Sequence, residues 1–498
     1  MRGYALRGPG FRFVGVGAAG AAVNGRRSWN SLPARPKHHT HSRGPCFPFS
    51  HQGEYRRTLR RYLPPVRVPE RQADVLADAD VVVAGGGPAG LGAALAAARA
   101  GARVVLCERY GFLGGNLTVA KVGTVCGLYV RDDAGEFDYV VGGIARELAD
   151  ALAGAGAGFG PVPFKETAVF LYVPWVVKRL ADHLVTQEDT LQVLLHSLVA
   201  DALVEDGRLR ALVLATKRGP RAVTGKVFVD CTGDADVATF AGVSTELGPP
   251  GHRQFGSMQF VMQHVDAPAA MAAVPALGDL IAEHGAHLSR DGGAIIPTFR
   301  PGEFVGAMTR VRNPDGSPVD VTDVRQATWG ELEGRRLAEE AAEFLRAHVP
   351  GFSDAFLDDT ATALGVRETR RVVGDYVLTG EDVTRGAAFD DAIARGAWPR
   401  EYHVHGRTTE YEFLPAGLSY QVPFASLRPR GMPNLLVAGR CLSADHDALA
   451  SIRVMGPSLA LGQAAGTAAA LASRDGVAAT AVDVDELQES LTKQGAVL

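Results

Sequence analysis

Residues 80–116 read DVVVAGGGPAGLGAALAAARAGARVVLCERYGFLGGN, and this stretch decides the fold. The apolar run at 81–84 is typical of a strand buried on both faces of a parallel sheet. Three glycines follow at once, and the next residues favour a helix that stops at Gly101. A second apolar run at 104–106 ends at Glu108. This order of strand, turn, helix and strand predicts an α/β fold with a parallel sheet.

The glycines stand where a dinucleotide-binding turn requires them. Gly85 permits a tight turn, Gly87 lets the backbone approach a pyrophosphate, and Gly90 lets the helix pack closely on the strand. The free amides and the positive dipole end of the helix then hold the phosphates. Glu108 follows about twenty residues on, where a carboxylate accepts hydrogen bonds from a ribose. The unit predicts a dinucleotide site, with an ordinary glycine-rich connection as the alternative.

Composition and charge narrow the class of protein. The chain has 498 residues, 46% of them apolar and 21% charged, which predicts a soluble globular protein. Its apolar runs fall short of the roughly eighteen residues that a membrane helix requires, so no membrane span is expected. Residues 1–71 carry 13 Arg and 1 Lys against 2 Glu, a net charge of +12, so the total of −4 leaves −16 on the remainder. An acidic body of this kind is a poor candidate for binding nucleic acid.

Residues 1–76 differ from the rest and are expected to form a disordered or processed basic extension. Their arginine-rich, acid-poor composition fits a transit peptide, which would imply an organellar location. A secretory signal fits less well, because glycine dilutes the apolar run at 13–23. An over-long gene model is the third alternative, since no methionine occurs between Met1 and Met258. Without a transit peptide a cytoplasmic location is expected, because lone cysteines suit a reducing compartment.

Two further predicted strands lead into polar residues at the same sheet edge. The apolar run at 227–229 precedes DCTGDAD at 230–236, where Asp234 is expected to face a cofactor, to cap a helix over residues 237–242, or to do both. The apolar run at 435–438 precedes Gly439 and Arg440, and a helix of small residues follows Pro457. Both strand ends are therefore predicted parts of a cofactor site.

The strand–helix alternation lapses between residues 247 and 428, which indicates an inserted substrate or cap domain. Residues 329–348 have the periodicity of an amphipathic helix. The run GVRETRR at 365–371 includes Arg367 and Arg370. Such a cluster is commonly a solvated ion-pair face. Alternatively, its arginines clamp a carboxylate or phosphate bidentately.

These motifs together resemble a known family. The fingerprint at 85–90, GFLGGN at 111–116, DCTGDAD at 230–236, GVRETRRVVGDY at 365–376 and NLLVAGR…SIRVMGPSLALGQAAG at 434–466 are similar to the FAD-dependent oxidoreductase family. This family belongs to the glutathione-reductase-type flavoprotein superfamily, and the resemblance lies near its heterodisulfide reductase branch. It covers residues 78–474 in the right order.

The resemblance implies a Rossmann-like FAD-binding domain, a three-layer arrangement of parallel sheet and helices, with an inserted α+β substrate or cap domain. The predicted domain ranges are residues 1–76 for the N-terminal extension, 77–246 for the first part of the FAD-binding domain, 247–428 for the cap, 429–475 for the second part of the FAD-binding domain, and 476–498 for a C-terminal tail.

The resemblance also implies the contacts of the cofactor. The residues expected at the pyrophosphate are Gly85, Gly87, Ala89 and Gly90, and those at the adenosine ribose are Glu108 and Arg109. The residues expected along the pyrophosphate and flavin are Gly114, Gly115, Asn116 and Thr118, with Asp234 on the adenosine or phosphate side. The residues expected at the ribityl chain and isoalloxazine ring are Gly439, Arg440, Met455, Gly462 and Gln463.

The chain also departs from related patterns. Related fumarate reductases attach FAD through a histidine soon after the GG motif, whereas residues 116–126 contain none, so FAD is predicted to be non-covalent. The five cysteines form no close pair, which argues against an internal dithiol and against an iron–sulfur cluster. His403 and His405 have no third metal ligand nearby in sequence, so no metal site is predicted.

The predicted function is a soluble FAD-dependent oxidoreductase that transfers a hydride between a small, anionic organic substrate and flavin N5. Histidines are expected to act as acid or base and arginines to orient the anion, although structural roles for the histidines are the alternative. The candidate catalytic residues are His446, Arg453, Arg367, Arg370, His403 and His405. One other hypothesis is a flavin subunit that passes electrons to a separate iron–sulfur partner protein, and another is a non-catalytic flavin-binding assembly protein.

Overall fold

The structure is a computed structural model, and it describes residues 72–249 and 251–498. The predictions made for residues 1–71 lie outside the described residues. Among the helices described, none is long and apolar enough to cross a membrane.

The described helices are, in chain order, α1 (Pro88–Arg99), α2 (Gly143–Gly154), α3 (Pro174–Thr186), α4 (Asp236–Phe240), α5 (Ala267–Ala273), α6 (Leu277–His284), α7 (Val324–His348), α8 (Gly380–Arg385), α9 (His446–Ile452), α10 (Met455–Asp475) and α11 (Val484–Lys493).

The described strands are, in chain order, β1 (Asp74–Ala84), β2 (Val104–Cys107), β3 (Thr124–Cys126), β4 (Tyr129–Arg131), β5 (Phe137–Tyr139), β6 (Gly158–Phe164), β7 (Thr167–Tyr172), β8 (Leu191–Leu194), β9 (Leu198–Glu205), β10 (Arg208–Thr216), β11 (Gly219–Asp230), β12 (Thr245–Glu246), β13 (Phe260–Gln263), β14 (Ala294–Pro297), β15 (Phe304–Ala307), β16 (Phe356–Thr360), β17 (Arg371–Val372), β18 (Ala392–Gly396), β19 (Arg400–Tyr402), β20 (Glu410–Glu412), β21 (Tyr420–Pro423) and β22 (Leu435–Val437).

The main sheet has the strand order β8-β2-β1-β11-β10-β9, with β22 also paired to β11. Strand β1 is parallel to both neighbours, so that Val82 lies opposite Val105 on one side and Phe228 on the other. The long strand β11 pairs antiparallel with β10 along its first half and parallel with β22 at its end. The parallel sheet predicted from residues 80–116 is therefore confirmed.

Both faces of this sheet are covered, because alternate side chains of each strand point to opposite faces. Val81 and Val83 face a core shared with helices α1, α2, α3 and α10. Val82 and Ala84 face a second core built with β9, β10 and α4. The predicted three-layer, Rossmann-like arrangement is confirmed.

The backbones of helices α1 and α10 are in direct contact. A Cβ built on Gly462 would lie 1.9 Å from the Ala89 carbonyl oxygen, and one built on Gly466 would lie 2.1 Å from that of Ala93. Only glycine fits at either position, since no real Cβ comes so close to a carbonyl oxygen. The contact brings the starts of both helices to the same end of the sheet.

A separate four-stranded antiparallel sheet, with the order β14-β15-β13-β16, lies within the region predicted as the cap. Phe260 and Phe304 of this sheet pack with Phe344 of α7 in a core that also includes residues of α5 and α6. The predicted amphipathic helix exists but begins earlier, at Val324, because the Asp323 carboxylate caps its first amides. This part supplies the α+β unit of the fold.

Candidate functional site

A cavity, here named the strand-edge cavity, lies at the carboxyl ends of the parallel strands of the main sheet. Gly85 follows β1, Glu108 follows β2, Asp234 lies just beyond β11, and Gly439 lies beyond β22. Ligands of open α/β sheets bind at this edge. Of the residues predicted to bind the cofactor, those that line this cavity are Gly85, Gly87, Ala89, Glu108, Arg109, Gly115, Asn116, Asp234, Gly439, Arg440 and Met455.

The three fingerprint glycines have different physical roles. Gly85 has φ +93°, and a Cβ there would lie 2.5 Å from the Cys231 carbonyl oxygen. A Cβ on Gly90 would lie 1.7 Å from the Gly85 carbonyl oxygen. Gly87 instead has φ −72°. Apart from its chain neighbours, the Gly115 Cα is the one atom of the described residues within 4 Å of a Cβ built there, at 3.8 Å. Gly85 and Gly90 therefore shape the turn, and Gly87 keeps the approach from the cavity open.

The start of α1 presents free donors to this opening. Gly87 is the N-cap residue and makes no side-chain cap, and Pro88 occupies the first position of the helix. The amides of Ala89 and Gly90 have no intrahelical acceptor, because the first N–H groups of any helix lack one. Together with the positive end of the helix dipole, they suit a phosphate.

Glu108 is held rigidly beside the turn. Its Oε2 accepts a hydrogen bond from the Gly86 amide at 2.6 Å, and its Oε1 accepts one from the Tyr110 amide at 2.8 Å. Burial raises the pKa of Glu108, although both amides act in the opposite direction. Since a carboxylate has about four acceptor sites, two are left for a ligand in the cavity.

Asp234 belongs to a triad of side chains from three distant parts of the chain. Its Oδ1 accepts hydrogen bonds from Arg440 Nη2 at 2.9 Å and from the Thr369 hydroxyl at 2.8 Å. Arg440 Nη1 also donates to Thr369 Oγ1 at 2.9 Å. Burial would raise the pKa of Asp234, but Arg440 and Thr369 together hold it below its usual range. The carboxylate is ionised and fixes Arg440 at the cavity wall.

The alternative prediction that Asp234 caps a helix is wrong. Helix α4 begins at Asp236 after Ala235, which makes no side-chain cap. The Ala238 amide instead donates to Asp230 Oδ2 at 3.0 Å. Asp230 takes the capping role because it ends β11 and is fully buried directly below the helix start.

Five residues predicted to bind the cofactor lie outside the cavity lining: Gly90, Gly114, Thr118, Gly462 and Gln463. Thr118 donates its hydroxyl to the Leu113 carbonyl at 2.8 Å and closes the turn that contains Gly114, which has φ +109°. Gln463 accepts from the Ile144 amide at 2.9 Å and so holds the start of α2. These residues shape the elements around the cavity.

The far end of the cavity is formed where α9 passes into α10. Arg453, Met455 and Ser458 line it. Arg453 Nη2 donates to Gln254 Oε1 at 3.0 Å and to the Glu401 carbonyl at 3.1 Å. This arginine therefore connects the cavity to the cap region.

Arg367 does not line the cavity itself, but its chain neighbour Val366 does, and the charge of Arg453 acts on Arg367. Its Nη1 donates to the Phe255 carbonyl and to Ser257 Oγ, both at 2.8 Å. Among the described residues it forms no ion pair with a carboxylate. Burial and the repulsion of Arg453 lower the pKa of Arg367 to about 9.

His403 and Glu401 form a buried hydrogen-bonded pair behind the arginines. His403 Nε2 lies 2.9 Å from Glu401 Oε1, and its Nδ1 lies 3.3 Å from Thr409 Oγ1. Burial and then Arg367 lower the pKa of His403 well below its usual value. Burial would raise the pKa of Glu401, but His403 and Arg453 hold it well below its usual range. The lowered pKa favours a neutral ring, and a neutral ring contacts the Glu401 carboxylate by donating a hydrogen bond from Nε2–H.

The other predicted catalytic residues lie elsewhere. His446 pairs with Glu368 at 3.0 Å and lines a separate surface depression. His405 is exposed, its ring lies edge-on to that of His252 with centroids 5.3 Å apart, and its backbone carbonyl accepts from Arg310. Arg370 donates to the Asp234 carbonyl at 2.8 Å and pairs with Asp236. Of the six candidates, the structure brings Arg453, Arg367 and His403 together.

Sequence reasoning missed three residues of the site. Thr369 lies inside the GVRETRR run, but a single threonine among charged residues gives no signal of its own. Glu401 lies two residues before His403, so the short sequence separation could have indicated the pair. Gln254 lies in no motif, and only the fold shows its contact with Arg453. The described residues include no group of three or more His, Cys, Asp or Glu that could hold a metal ion.

A family model described as FAD dependent oxidoreductase matches residues 80–491. Comparison with curated protein sequences gives no match. Among solved structures, a geranylgeranyl bacteriochlorophyll reductase-like protein from Thermoplasma acidophilum is 12% identical, with 84% of this chain and 82% of that chain covered and a TM-score of 0.41. A p-nitrophenol 4-monooxygenase from Pseudomonas putida is 13% identical, with 84% and 85% covered and a TM-score of 0.41. A flavin-dependent brominase is 13% identical, with 84% and 83% covered and a TM-score of 0.43. Scores this low support no inference about reaction or substrate, and the placement near the heterodisulfide reductase branch stays a prediction.

Proposed function

The chain belongs to the FAD-dependent oxidoreductase family, and we propose that it binds FAD non-covalently in the strand-edge cavity and transfers a hydride between flavin N5 and a small anionic organic substrate. The observation that carries the proposal is the opening at Gly87. There the backbone, without a Cβ, faces the cavity beside the free amides of α1. The residues present therefore fit a pyrophosphate.

The remaining parts of the cavity fit the rest of the cofactor. The spare acceptor sites of Glu108 suit a ribose, and Arg440, fixed by Asp234, supplies positive charge for the phosphates. Met455 begins α10, a helix of 21 residues without a side-chain cap, whose positive dipole end favours negative charge at that end of the cavity. Bound FAD supplies the two-electron carrier of the reaction.

The side chains at the far end bind and orient the substrate. Arg453 and Arg367 attract an anion, because their positive charges are only partly balanced by Glu401. His403 keeps its proton on Nε2 and holds Glu401, which in turn lies 3.7 Å from Arg453 Nη2. We therefore assign His403 to positioning Arg453, in place of the acid–base role predicted from the sequence.

The cysteines of the cavity do not favour a covalent link. Cys107 and Cys231 line it, but burial raises the pKa of the Cys107 thiol to about 12, and that of Cys231 well above its usual value. Thiols with so raised a pKa are poor nucleophiles, since the thiolate is the reactive form.

Acid precipitation of the purified protein tests the proposal. We expect a yellow protein whose flavin absorption passes into the supernatant and, before precipitation, bleaches anaerobically with dithionite. Flavin in the pellet would contradict non-covalent binding. A colourless protein that takes up no added FAD would overturn the function itself, and bound flavin that resists reduction would favour the non-catalytic alternative.

A further inference from the structure

We propose that Arg367, Arg453 and Gln254 form a carboxylate-binding subsite at the far end of the strand-edge cavity, and that the substrate is a small monocarboxylate. This inference rests on the proposed function, because it assumes that the flavin ring occupies the end of the cavity near Met455. It deepens that function by naming the charged group of the substrate and its three partners.

The charges that act on Arg367 are mostly positive. Arg453, Arg290 and Arg310 all act on Arg367 as positive charges, and Glu401 is the opposing carboxylate. Glu368 also acts on Arg453, and Asp291 and Glu410 act on Arg310. The four arginines at 290, 310, 367 and 453 are here named the arginine cluster. An anion that entered beside Arg367 would offset the positive charge around that side chain.

Two arginines of the arginine cluster use their donors in hydrogen bonds within the protein. Arg310 gives its Nη1 and Nη2 donors to the carbonyls of His405, Gly406 and Thr408 and to the Thr409 hydroxyl. Arg290 donates to the Ala307 carbonyl at 3.2 Å and to Thr409 at 3.0 Å. These two arginines hold the 405–409 loop and supply charge without direct contact to a ligand.

Within the part of the chain that the structure describes, two side chains of the subsite hold buried donors without an acceptor. Gln254 is 3% exposed, and its Nε2 has no hydrogen-bond partner among these residues, although its Oε1 accepts from Arg453. Arg453 has a side chain 8% exposed, and its Nε is likewise without a partner among them. Native proteins seldom leave buried donors without an acceptor, so a ligand or water is expected there. Arg367 adds a guanidinium edge, since Nη1 is the one nitrogen of its guanidinium that donates to another of the described residues.

The donor set fits a carboxylate better than a phosphate. A carboxylate has two oxygens with about four acceptor sites, which match a guanidinium edge, one arginine Nε–H and one amide N–H. A phosphate would leave a third oxygen and a second charge to satisfy. Arg453 lines the cavity and touches Gln254, so a carboxylate held by both lies beside the proposed place of the flavin ring.

Titration of the FAD-loaded protein with sodium acetate at constant ionic strength tests the subsite. The readouts are the perturbation of the flavin absorption spectrum and the Tm, neither of which needs turnover. We expect saturable binding of acetate, with inorganic phosphate weaker. Gln254→Glu keeps the side-chain shape but places a negative charge beside Arg453, and Arg367→Gln removes a charged donor. Each is expected to weaken acetate binding about tenfold to a hundredfold, the effect of one hydrogen bond to a charged group.

Arg210→Gln is the matched control, because Arg210 lies on β10 with its side chain 49% exposed, and it should leave acetate binding unchanged. The flavin content of every variant shows whether it has folded with its cofactor. If the wild-type protein holds FAD but acetate changes neither readout, the subsite is wrong and the proposed function stands. Tighter binding of phosphate, or wild-type acetate affinity in Gln254→Glu, would also overturn the inference. Failure to bind FAD at all would refute the proposed function instead.

Discussion

Replacing Gly87 by tryptophan is expected to abolish FAD binding while leaving the apoprotein folded. Gly87 has φ −72°, a conformation that any residue adopts, and a Cβ there meets only the Gly115 Cα, at 3.8 Å. The indole therefore extends into the strand-edge cavity without displacing the backbone. It occupies the space through which the phosphates would reach the start of α1.

The size of the effect follows from the donors that the indole would cover. The amides of Ala89 and Gly90 are proposed to bind the pyrophosphate. A hydrogen bond to a charged group contributes about 1.5–3 kcal/mol, so the loss of two costs about 3–6 kcal/mol and raises the Kd for FAD about 10²- to 10⁴-fold.

The assay combines flavin content from the visible spectrum, the Kd for FAD from titration of the apoprotein, and the Tm of the apoprotein. The Tm should stay within about 1 °C of wild type, the effect of a free-energy change of about 1 kcal/mol in a chain of this length. Gly278→Trp is the matched control, because a Cβ there has nothing within 4 Å and the residue lies on α6, away from the cavity. Gly90→Ala should instead lower the Tm, since its Cβ would lie 1.7 Å from the Gly85 carbonyl oxygen.

Wild-type flavin content and affinity in Gly87→Trp would refute the reasoning, because the phosphates would then have to bind elsewhere. A Tm of the Gly87→Trp apoprotein as low as that of Gly90→Ala would refute it in another way. That result would show that Gly87 is required by the fold, as Gly90 is, and that its side-chain position is not open.

Two further predictions concern stability. Glu368 has a fully buried carboxylate that contacts Arg371 at 2.6 Å and His446 at 3.0 Å, so Glu368→Gln is expected to lower the free energy of unfolding by about 3–5 kcal/mol in urea titrations. Burial would raise the pKa of Glu368, but His446 and Arg371 lower it below its usual value. The stability that the carboxylate contributes is therefore complete above the unfolded pKa of about 4.3 and is lost as the pH falls. The difference in unfolding free energy between wild type and variant should narrow below about pH 4, and a constant difference would contradict the ion pair. Gly462→Ala should cost at least about 1–3 kcal/mol, because the added methyl would meet the Ala89 carbonyl at 1.9 Å. Gly154→Ala, with nothing within 4 Å, is the control, and equal Tm values for the two variants would show that α1 and α10 are farther apart.

The local part of the site was predictable from the sequence. The turn at Gly85, the opening at Gly87 and the place of Glu108 all lie within one strand–helix–strand unit, and neighbouring residues determine their geometry. The small-residue helix α10 was predicted in the same way, although its contact with α1 was not. The choice among catalytic candidates was not predictable in this way. His446 and Arg453 are seven residues apart, about 10 Å along a helix, and only Arg453 reaches the cavity.

By itself, the sequence determined the Rossmann-like sheet and the glycine-rich turn after β1, because the period of the apolar residues and the places of the glycines act over short stretches of chain. Only the tertiary structure decided which charged groups meet. Asp234 is 206 residues from Arg440 and 135 from Thr369, and Arg453 is 199 residues from Gln254. The pKa of a buried carboxylate or arginine depends on neighbours within a few ångströms, and at these sequence separations the fold alone brings those neighbours together.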